Sequence, residues 1–372
     1  MEYTKIKEIN RYISKSINPA KMPNTVFEMY SVPAYETGHP EYLYGREIAS
    51  SKVVVKKNDI LLCKINPRIN RVWLVLDESD NQNIASSEWI VIRTDEYNPE
   101  FLVWYFRTPQ FKQKMMSEVT GIGGSLTRAQ PKRVAEYLIP VIDRKRQDRI
   151  AIVLNKIASI VDLRKKELKA YDELIKSRFV EMFGDIPDDK KVMMAEVCKI
   201  ITDGTHQPPK FTPIGIPFLF VSNIVTNEIN YDAEKFISEE TYDELIKRTP
   251  IEIGDILLST VGSYGHPAIV KSNKQFCFQR HIAYIKPDAA LVNSEYLRGA
   301  ILSENVQRQI DKRVKGIAQK TLNLSEIRKL RLPLPPMEQQ GRFAAFVAQT
   351  DKSKVTCKHR AIFKYFRSNC VA

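Results

Sequence analysis

Basic and small polar side chains recur in short segments beside apolar runs in both halves of the chain. Lysine, arginine and backbone amides suit phosphate oxygens, whereas arginine or lysine suits guanine and asparagine or glutamine suits adenine. In the second half the candidate contacts are Thr205, His206, Lys210, Ser259, Thr260, Ser263, Tyr264, Gln279, Arg280, His281, Arg313, Lys315, Gln319 and Lys320. In the first half they are Lys64, Asn66, Arg68, Asn70, Arg71, Ser86, Ser87, Glu88, Ser125, Thr127 and Arg128.

Each candidate contact also has a purely structural interpretation. Thr205 and Ser259 suit turns or helix caps, and His206 and His281 suit hydrogen-bonded structural positions. Lysines and arginines such as Lys315 equally suit a solvated surface. The sequence leaves these alternatives open and does not assign individual base contacts.

The sequence contains no recognisable catalytic motif. Asn66-Pro67-Arg68 lacks the second proline and the aromatic residue of an Asn-Pro-Pro-Tyr-type methyltransferase motif. No G-x-x-x-x-G-K-[ST] phosphate-binding loop occurs. The histidines and cysteines have no metal-ligand spacing, and no carboxylate cluster recurs in both halves. We therefore expect no catalytic residue, no metal and no directly bound cofactor.

The composition favours a polyanionic partner. Among 372 residues the net charge is +13 and 43% of residues are hydrophobic, with a pI of about 9.3. This balance is typical of a globular protein and indicates nucleic acid, ahead of a membrane surface, as the partner. The five cysteines form no C-x-x-C pair, and neither a signal peptide nor an apolar run of about 18 residues is evident. These features predict a cytoplasmic protein.

The chain repeats itself at a nearly fixed interval. NDILL at 58–62 corresponds to GDILL at 254–258, 196 positions later. Further pairs are 193 positions apart without a gap, namely Gly123 and Gly316, Val134 and Ile327, Ile139 and Leu332, Pro140 and Pro333, Gln147 and Gln340, Arg149 and Arg342, and Ala151 and Ala344. The pattern indicates a duplicated unit of about half the chain.

Each copy is predicted to be a mixed α/β unit. β-Branched and apolar runs bounded by polar turns predict strands at 52–55, 60–62 and 89–92, then at 218–221, 255–258 and 282–285. Aromatic residues at helical spacing predict a helix over 101–116 whose aromatics are core residues.

A long helix is predicted after the first unit. Apolar residues there have heptad spacing, which predicts a coiled-coil seam in need of a partner helix. The seam residues are Ile150, Leu154, Ile157, Val161, Leu168, Tyr171, Ile175 and Met182. GDIPDD at 184–189 is predicted to end the helix. The second copy, from Met337, keeps the pattern only in its first turns, which predicts a shortened or divergent helix.

These stretches resemble the DNA specificity subunits of type I restriction–modification systems. In the second half the similar segments are DGTHQPP (203–209), GIPFL (215–219), GDILL (254–258), KG (315–316) and LPLPPMEQQ (332–340). In the first half they are NDILL (58–62), GS (124–125) and residues 140–183. Each motif is weak by itself, but the duplicated set occurs in the family's order.

The resemblance implies an α/β (α+β) fold with an internal pseudo-twofold repeat. Two globular target-recognition domains, 1–139 and 185–332, would be separated by long antiparallel coiled-coil helices, 140–184 and 333–372. Each domain would read half of a bipartite, asymmetric DNA target, and the helices would set the spacer. The expected partners are double-stranded DNA, two modification subunits that bind S-adenosylmethionine, and restriction subunits that use ATP and Mg²⁺.

Two other functions compete with this interpretation. The chain could be a stand-alone methyltransferase or nuclease with an unrecognised site, or a coiled-coil interaction protein whose basic charge is incidental. Turnover by the purified chain would favour the first of these. Duplex affinity that does not fall with salt would favour the second.

Overall fold

The computed structural model describes residues 2–117, 119–120, 127–187, 190–316 and 320–369, with the backbone alone at 119–120 and 355–369. The chain forms two units, Met1–Ile160 and Val161–Ala372. Both combine short strands with helices, so the predicted α/β architecture is confirmed. The boundary between the units falls inside a long helix, and the four-part domain division stays a prediction.

The described strands of the first unit form two main sheets and two small pairs. The strands are β1 (Tyr3–Lys5), β2 (Ser16–Ile17), β3 (Val26–Tyr30), β4 (Glu41–Tyr44), β5 (Lys52–Val54), β6 (Ile60–Cys63), β7 (Val72–Leu74), β8 (Gln82–Ala85), β9 (Trp89–Ile92), β10 (Val119–Thr120), β11 (Arg128–Ala129) and β12 (Leu138–Pro140). The sheets have the orders β2-β5-β8-β3-β4 and β7-β6-β9, and β1 pairs with β12.

Helices cover the sheet β7-β6-β9, which is the inner sheet of the first unit. They are α1 (Ile6–Ile9), α2 (Pro99–Phe106), α3 (Pro109–Ser117), α4 (Pro131–Val134) and α5 (Arg144–Phe183). The predicted helix over 101–116 is in fact two helices, because a proline at position 109 suits the first turn of a helix and not its interior. Of the aromatic residues on which the prediction rests, Phe101 and Phe111 are buried in the core, as predicted, whereas Trp104 and Tyr105 are half-buried.

The second unit repeats the inner sheet with one added strand. Its strands are β13 (Lys191–Met193), β14 (Cys198–Asp203), β15 (Ile216–Leu219), β16 (Lys235–Ile237), β17 (Ile256–Ser259), β18 (Pro267–Ile269), β19 (Cys277–Phe278), β20 (Ile282–Pro287) and β21 (Arg331–Pro333). The sheet orders are β14-β20-β17-β18 and β16-β15-β19, and β13 pairs with β21. The strand predicted at 218–221 lies slightly earlier, at β15; the other predicted strands are confirmed.

The helices of the second unit are α6 (Met194–Val197), α7 (Glu239–Leu245), α8 (Ser294–Leu302), α9 (Glu304–Arg313), α10 (Leu324–Arg328) and α11 (Met337–Asn369). The last strand of each unit, β12 or β21, is short and pairs antiparallel with the unit's first strand. The long helices α5 and α11 begin directly after these closing strands.

The repeat is visible in the turn before each central strand. Asn58 and Gly254 both have positive φ, +70° and +96°, a conformation that glycine and asparagine tolerate best. The side chain of the next residue, Asp59 or Asp255, accepts a hydrogen bond from the backbone amide three residues earlier, at 2.9 and 2.8 Å. The same type of turn therefore precedes β6 and β17, the equivalent strands of the two units.

A cation neutralises each buried aspartate. Arg93 donates two hydrogen bonds of 2.7 Å to Asp59, which is fully buried. Lys286 lies 3.3 Å from Asp255, which also accepts a hydrogen bond of 2.8 Å from the Tyr284 hydroxyl. Desolvation and the neighbouring carboxylate raise the pKa of Tyr284, so it stays a donor. Both units thus pair the buried aspartate with a cation, which is an arginine in the first unit and a lysine in the second.

A buried glutamine ties each long helix to its unit. Gln147 Oε1 accepts the backbone N–H of Asn98 at 2.8 Å, and Gln340 Oε1 accepts that of Asn293 at 2.8 Å. Asn98 and Asn293 cap the core helices α2 and α8 through their side chains. The spacing of 193 residues between the glutamines therefore reflects the same contact in both copies.

The helix α5 contains the whole predicted seam. Its 40 residues correspond to about 60 Å at 1.5 Å per residue. Within the second unit its last part packs antiparallel on α11, because Phe179 contacts Phe343 while the earlier Asp172 pairs with the later Lys354. The long antiparallel helices of the predicted fold are thus confirmed over this stretch.

Burial along the seam is uneven. Ile175 is buried, and Ile150, Leu154, Ile157, Leu168, Tyr171 and Met182 are half-buried. Val161 instead remains 48% exposed, so its expected burial in the seam is corrected. Heptad spacing specifies which face of a helix is apolar, but it does not specify which turns of that face another element covers.

Candidate nucleic-acid interface

The strand β6 continues into a segment that joins three predicted contact regions of the first unit. The Lys64 amide donates to the Glu88 carbonyl at 3.0 Å, the Ala129 amide to the Lys64 carbonyl at 2.7 Å, and the Asn66 amide to the Thr127 carbonyl at 2.8 Å. Residues far apart in sequence therefore meet at one end of the inner sheet.

The strand β17 of the second unit continues in the same way. The Thr260 amide donates to the His281 carbonyl at 3.0 Å, the Leu322 amide to the Thr260 carbonyl at 2.8 Å, and the Gly262 amide to the Lys320 carbonyl at 3.1 Å. These three bonds reproduce those of the first unit at offsets of 196 and 193 residues. The backbone of the candidate interface is therefore built twice.

The same side-chain positions carry different chemistry in the two units. Strand registers pair Cys63 with Trp89 and Ser259 with Ile282, and bridges pair Ile65 with Arg128 and Val261 with Thr321. We call the equivalent sites matched positions. They are Lys64 and Thr260, Ser87 and Arg280, Glu88 and His281, Thr127 and Lys320, and Arg128 and Thr321.

The first unit carries a charged cluster at its matched positions. Glu88 lies 4.0 Å from the Lys64 ammonium and 3.4 Å from the Arg128 guanidinium. Lys64 also donates to the Ser87 carbonyl at 2.6 Å. This Lys64–Glu88–Arg128 cluster presents one acceptor between two donors, with Arg128 the most exposed member.

The other first-unit candidates lie around this cluster and differ in availability. Arg68 is exposed and donates to Asn66 Oδ1 at 2.9 Å. Arg71 is only 15% exposed, and its Nε donates to Glu36 at 2.9 Å, so its charge is already compensated. The Thr127 carbonyl accepts the hydrogen bond from the Asn66 amide. Ser125 lies outside the described residues.

The second unit has a polar cleft of about 440 Å³ at the corresponding end of its sheet. The cleft brings together Thr260, Arg280 and His281, all of them predicted contacts, with Asp203 and Thr321. A cleft of about 360 Å³ in the first unit includes the matched Lys64 and Ser87. The second cleft combines Asp203 with Arg280 and therefore suits a partner that presents donors and acceptors together, whereas Lys64 is the charged residue that lines the first cleft.

Asp203 organises the charges beside the second cleft. Its two carboxylate oxygens pair with His206 at 3.0 Å and with Arg248 at 2.6 Å. Arg280 is exposed and, within the described residues, has no carboxylate partner; its Nε lies 3.4 Å from His281 Nε2. Arg280 is therefore an uncompensated cation at the cleft, in contrast to Arg71.

Desolvation, helped by the positive charge of Arg280, lowers the pKa of His281. The imidazole is thus neutral at neutral pH and offers one donor and one acceptor nitrogen. With Nε2 facing the Arg280 donor, the geometry assigns the proton to Nδ1. His281 can consequently present a donor without adding charge.

Burial limits direct contact by two predicted residues. Ser259 is fully buried and its Oγ accepts the His266 amide at 2.9 Å, while Thr260 is 4% exposed. The position of Ser259 corrects the expectation that its side chain reaches a partner, because it supports the loop, whereas contact by Thr260, which lines the cleft, stays a prediction. Ser263 is exposed at the tip of the same loop, and the Tyr264 hydroxyl binds Asp311 at 3.0 Å.

The remaining candidates flank the cleft or its supporting loops. Thr205 and Gln279 form a backbone bridge, and Arg313 pairs with Glu326 at 3.7 Å. Three further lysines are exposed and suit phosphate contact, namely Lys210, Lys315 and Lys320. Gln319 lies outside the described residues.

Three residues of the second site, Asp203, Thr321 and Arg248, were not among the predicted contacts. Thr321 is found by adding 193 to Arg128, so the repeat contained the signal. Arg248 lies 45 residues after its partner Asp203, and no motif links the two. Within the described part of the chain, no group of His, Cys, Asp or Glu has the arrangement of a metal site. No helix there has the length and apolar character for crossing a membrane.

Comparisons with known proteins agree with this architecture. A family model described as type I restriction modification DNA specificity domain matches residues 188–362. The type I restriction enzyme EcoBI specificity subunit of Escherichia coli is 23% identical over 299 residues, covering 72% of this chain and 61% of that protein. The MjaVIII specificity subunit of Methanocaldococcus jannaschii is 21% identical and covers 94% and 86%.

Two solved structures share the fold. The type I restriction–modification system S subunit from M. genitalium superposes with a TM-score of 0.54 at 11% identity, covering 97% of this chain and 91% of that chain. A chain from a structure on complex assembly and conformational transition of the type I R-M system gives 0.53 at 20% identity, covering 98% and 93%. Family model, relatives and fold together support a specificity subunit of a type I restriction–modification system.

Proposed function

We propose that the chain is the non-catalytic DNA-recognition subunit of a type I restriction–modification complex. Each unit would read one half of a bipartite, asymmetric duplex target. The observation that carries this proposal is the sheet edge that is built twice on the same backbone bonds but carries different side chains. A duplicated scaffold with unequal surfaces suits two unequal half-sites on one duplex.

The chemistry would belong to partner subunits. Two modification subunits, as in the family's arrangement, would bind S-adenosylmethionine and methylate adenine. Restriction subunits would use ATP and Mg²⁺. The relatives' names as specificity subunits support this division of labour, and a cytoplasmic location follows from it.

The helices α5 and α11 would set the unread spacer between half-sites and dock the modification subunits. A helix of about 60 Å compares with about 34 Å for one turn of B-DNA. Exposed apolar residues on α5, such as Leu163 and Val180, support its use as a contact surface. Net charge of +13 supports phosphate contacts by the units.

The test compares adenine methylation in cells that have the modification subunits with and without this chain. We expect a bipartite methylated motif that appears only when the chain is present. In vitro, the assembled complex should lose duplex affinity steeply as salt rises. Methylation or cleavage by the purified chain alone, given S-adenosylmethionine and Mg²⁺, would overturn the proposal in favour of a stand-alone enzyme.

A further inference from the structure

The matched dipeptides before the last strand of each inner sheet occupy equivalent positions but differ in side-chain chemistry. Ser87-Glu88 precedes β9, and Arg280-His281 precedes β20. Equivalent backbone bonds hold Glu88 and His281, through their carbonyls, at the end of the neighbouring strand. The two dipeptides therefore occupy the same place in their units although their side chains are unrelated.

In the second unit the dipeptide supplies donors. Arg280 is exposed at the cleft, and no described carboxylate competes for its guanidinium. Asp203, the acid beside it, is already paired with His206 and Arg248. An arginine fork presented without a carboxylate partner suits two acceptors that lie side by side.

In the first unit the dipeptide supplies an acceptor. The serine at position 87 cannot replace the guanidinium of the matched Arg280, and the adjacent Glu88 adds a carboxylate instead. The Arg128 guanidinium at 3.4 Å and the Lys64 ammonium at 4.0 Å flank this carboxylate from two sides and orient it. A carboxylate flanked by donors suits an amino group beside acceptors.

Base edges in the major groove present these two patterns. Guanine offers O6 and N7 as adjacent acceptors that an arginine binds with two hydrogen bonds, and cytosine offers its N4 amino group to a carboxylate. Phosphates also bind arginine, but they repel a carboxylate. The exchange of Arg280-His281 for Ser87-Glu88 therefore fits reading of different bases better than shared backbone contact.

We propose, on the basis of the function proposed above, that the matched dipeptides are specificity determinants of the two half-sites. Arg280 reads a guanine in the half-site of the second unit. Glu88 accepts the amino group of a cytosine in the half-site of the first unit, and Arg128 contacts the guanine of that pair.

The test uses the full chain with its modification subunits and determines the methylated motif by single-molecule sequencing. Three variants are compared with wild type, Arg280→Ser, which installs the matched residue, Arg280→Lys and Glu88→Gln. Arg280→Ser should relax one guanine position in one half-site and lower methylation of the original motif about 5- to 150-fold, the value of one bidentate base contact. Arg280→Lys should lose less. Glu88→Gln should alter one cytosine position in the other half-site.

Glu304→Gln, at an 81% exposed side chain on α9, is the control and should leave the motif unchanged. Thermal unfolding of each variant separates loss of folding from loss of reading, and Arg280→Lys supplies a mild change where Arg280→Ser unfolds. Unchanged motifs for both Arg280→Ser and Glu88→Gln, or changes in the same half-site, overturn the inference while leaving the proposed function intact. Absence of any chain-dependent bipartite motif with the wild type overturns the proposed function itself, and the inference with it.

Discussion

At the scale of single residues, the two units solve the same electrostatic problem with different side chains. Asp59 and Asp255 are both buried next to a tight turn, and each is paired with a cation from the neighbouring strand. Removing one partner of such a pair costs far more than removing an exposed pair, because the remaining charge stays buried. The aspartates therefore define where a mutation in the inner sheet will be most damaging.

Replacing Arg93 with alanine should destabilise the first unit by about 2–3 kcal/mol, a value reduced from that of a fully buried pair because Arg93 is partly exposed. The matched control is Arg11→Ala, which removes the surface pair with Glu96, exposed by 57% and 51%. That change should cost less than about 1 kcal/mol. Urea unfolding of the two variants checks the difference, and equal losses would show that Asp59 does not need its partner.

Histidine burial predicts how stability depends on pH. Desolvation lowers the pKa of His266 in the folded chain, so the unfolded chain binds the proton more readily. The contribution to stability is present above the unfolded pKa of about 6.5 and is lost as pH falls through the lower folded pKa. His266→Gln should therefore reduce the drop in the urea midpoint between about pH 8 and pH 5. The opposite change in slope would contradict this assignment.

At the scale of elements, the helix pair of the second unit depends on close packing against α8. A β-carbon added at Gly299 of α8 would lie 2.7 Å from the Phe343 ring of α11 and 3.1 Å from the Phe179 ring of α5. Glycine at this point therefore lets the two long helices share one aromatic cluster with the core. Heptad spacing indicated the helices, but this contact depends on a residue outside them.

Gly299→Ala should destabilise the second unit by about 1–3 kcal/mol, since the aromatic rings must shift in a packed core. Gly341→Ala is the matched change within α11, where a β-carbon would meet nothing within 4 Å. It should stabilise the helix by about 0.5–1 kcal/mol, because alanine loses less backbone entropy than glycine. Thermal unfolding measures both, and a neutral Gly299→Ala would show that the cluster is loosely packed.

Sequence periodicity predicted elements better than their contacts. The heptad pattern predicted α5 because the spacing of apolar residues along a helix can be recognised without knowing what packs against it. The offset of 193 residues identified Gln147 and Gln340 as equivalent. The burial of Ser259 and the exposure of Val161 depended instead on which neighbouring turns pack nearby. The pairing of Asp203 with Arg248 depends on how the intervening chain folds back, and no short sequence pattern predicts it.

At the scale of the whole molecule, α5 contains the boundary between the units, so its length is the natural variable for testing the proposed spacer role. Inserting four residues after Arg164 should lengthen the helix by about 6 Å at 1.5 Å per residue and rotate its later turns as a stutter does. With DNA rising about 3.4 Å per base pair, the methylated motif should keep both half-site sequences and gain one or two base pairs between them.

Four residues inserted after Ile214, which is 83% exposed in a loop, provide the control and should leave the spacer unchanged. Single-molecule sequencing of methylated DNA measures both variants. An unaltered spacer with the α5 insertion, at wild-type methylation, would mean that something other than this helix determines the separation, whereas altered half-site bases would mean that the helix also orients the reading surfaces.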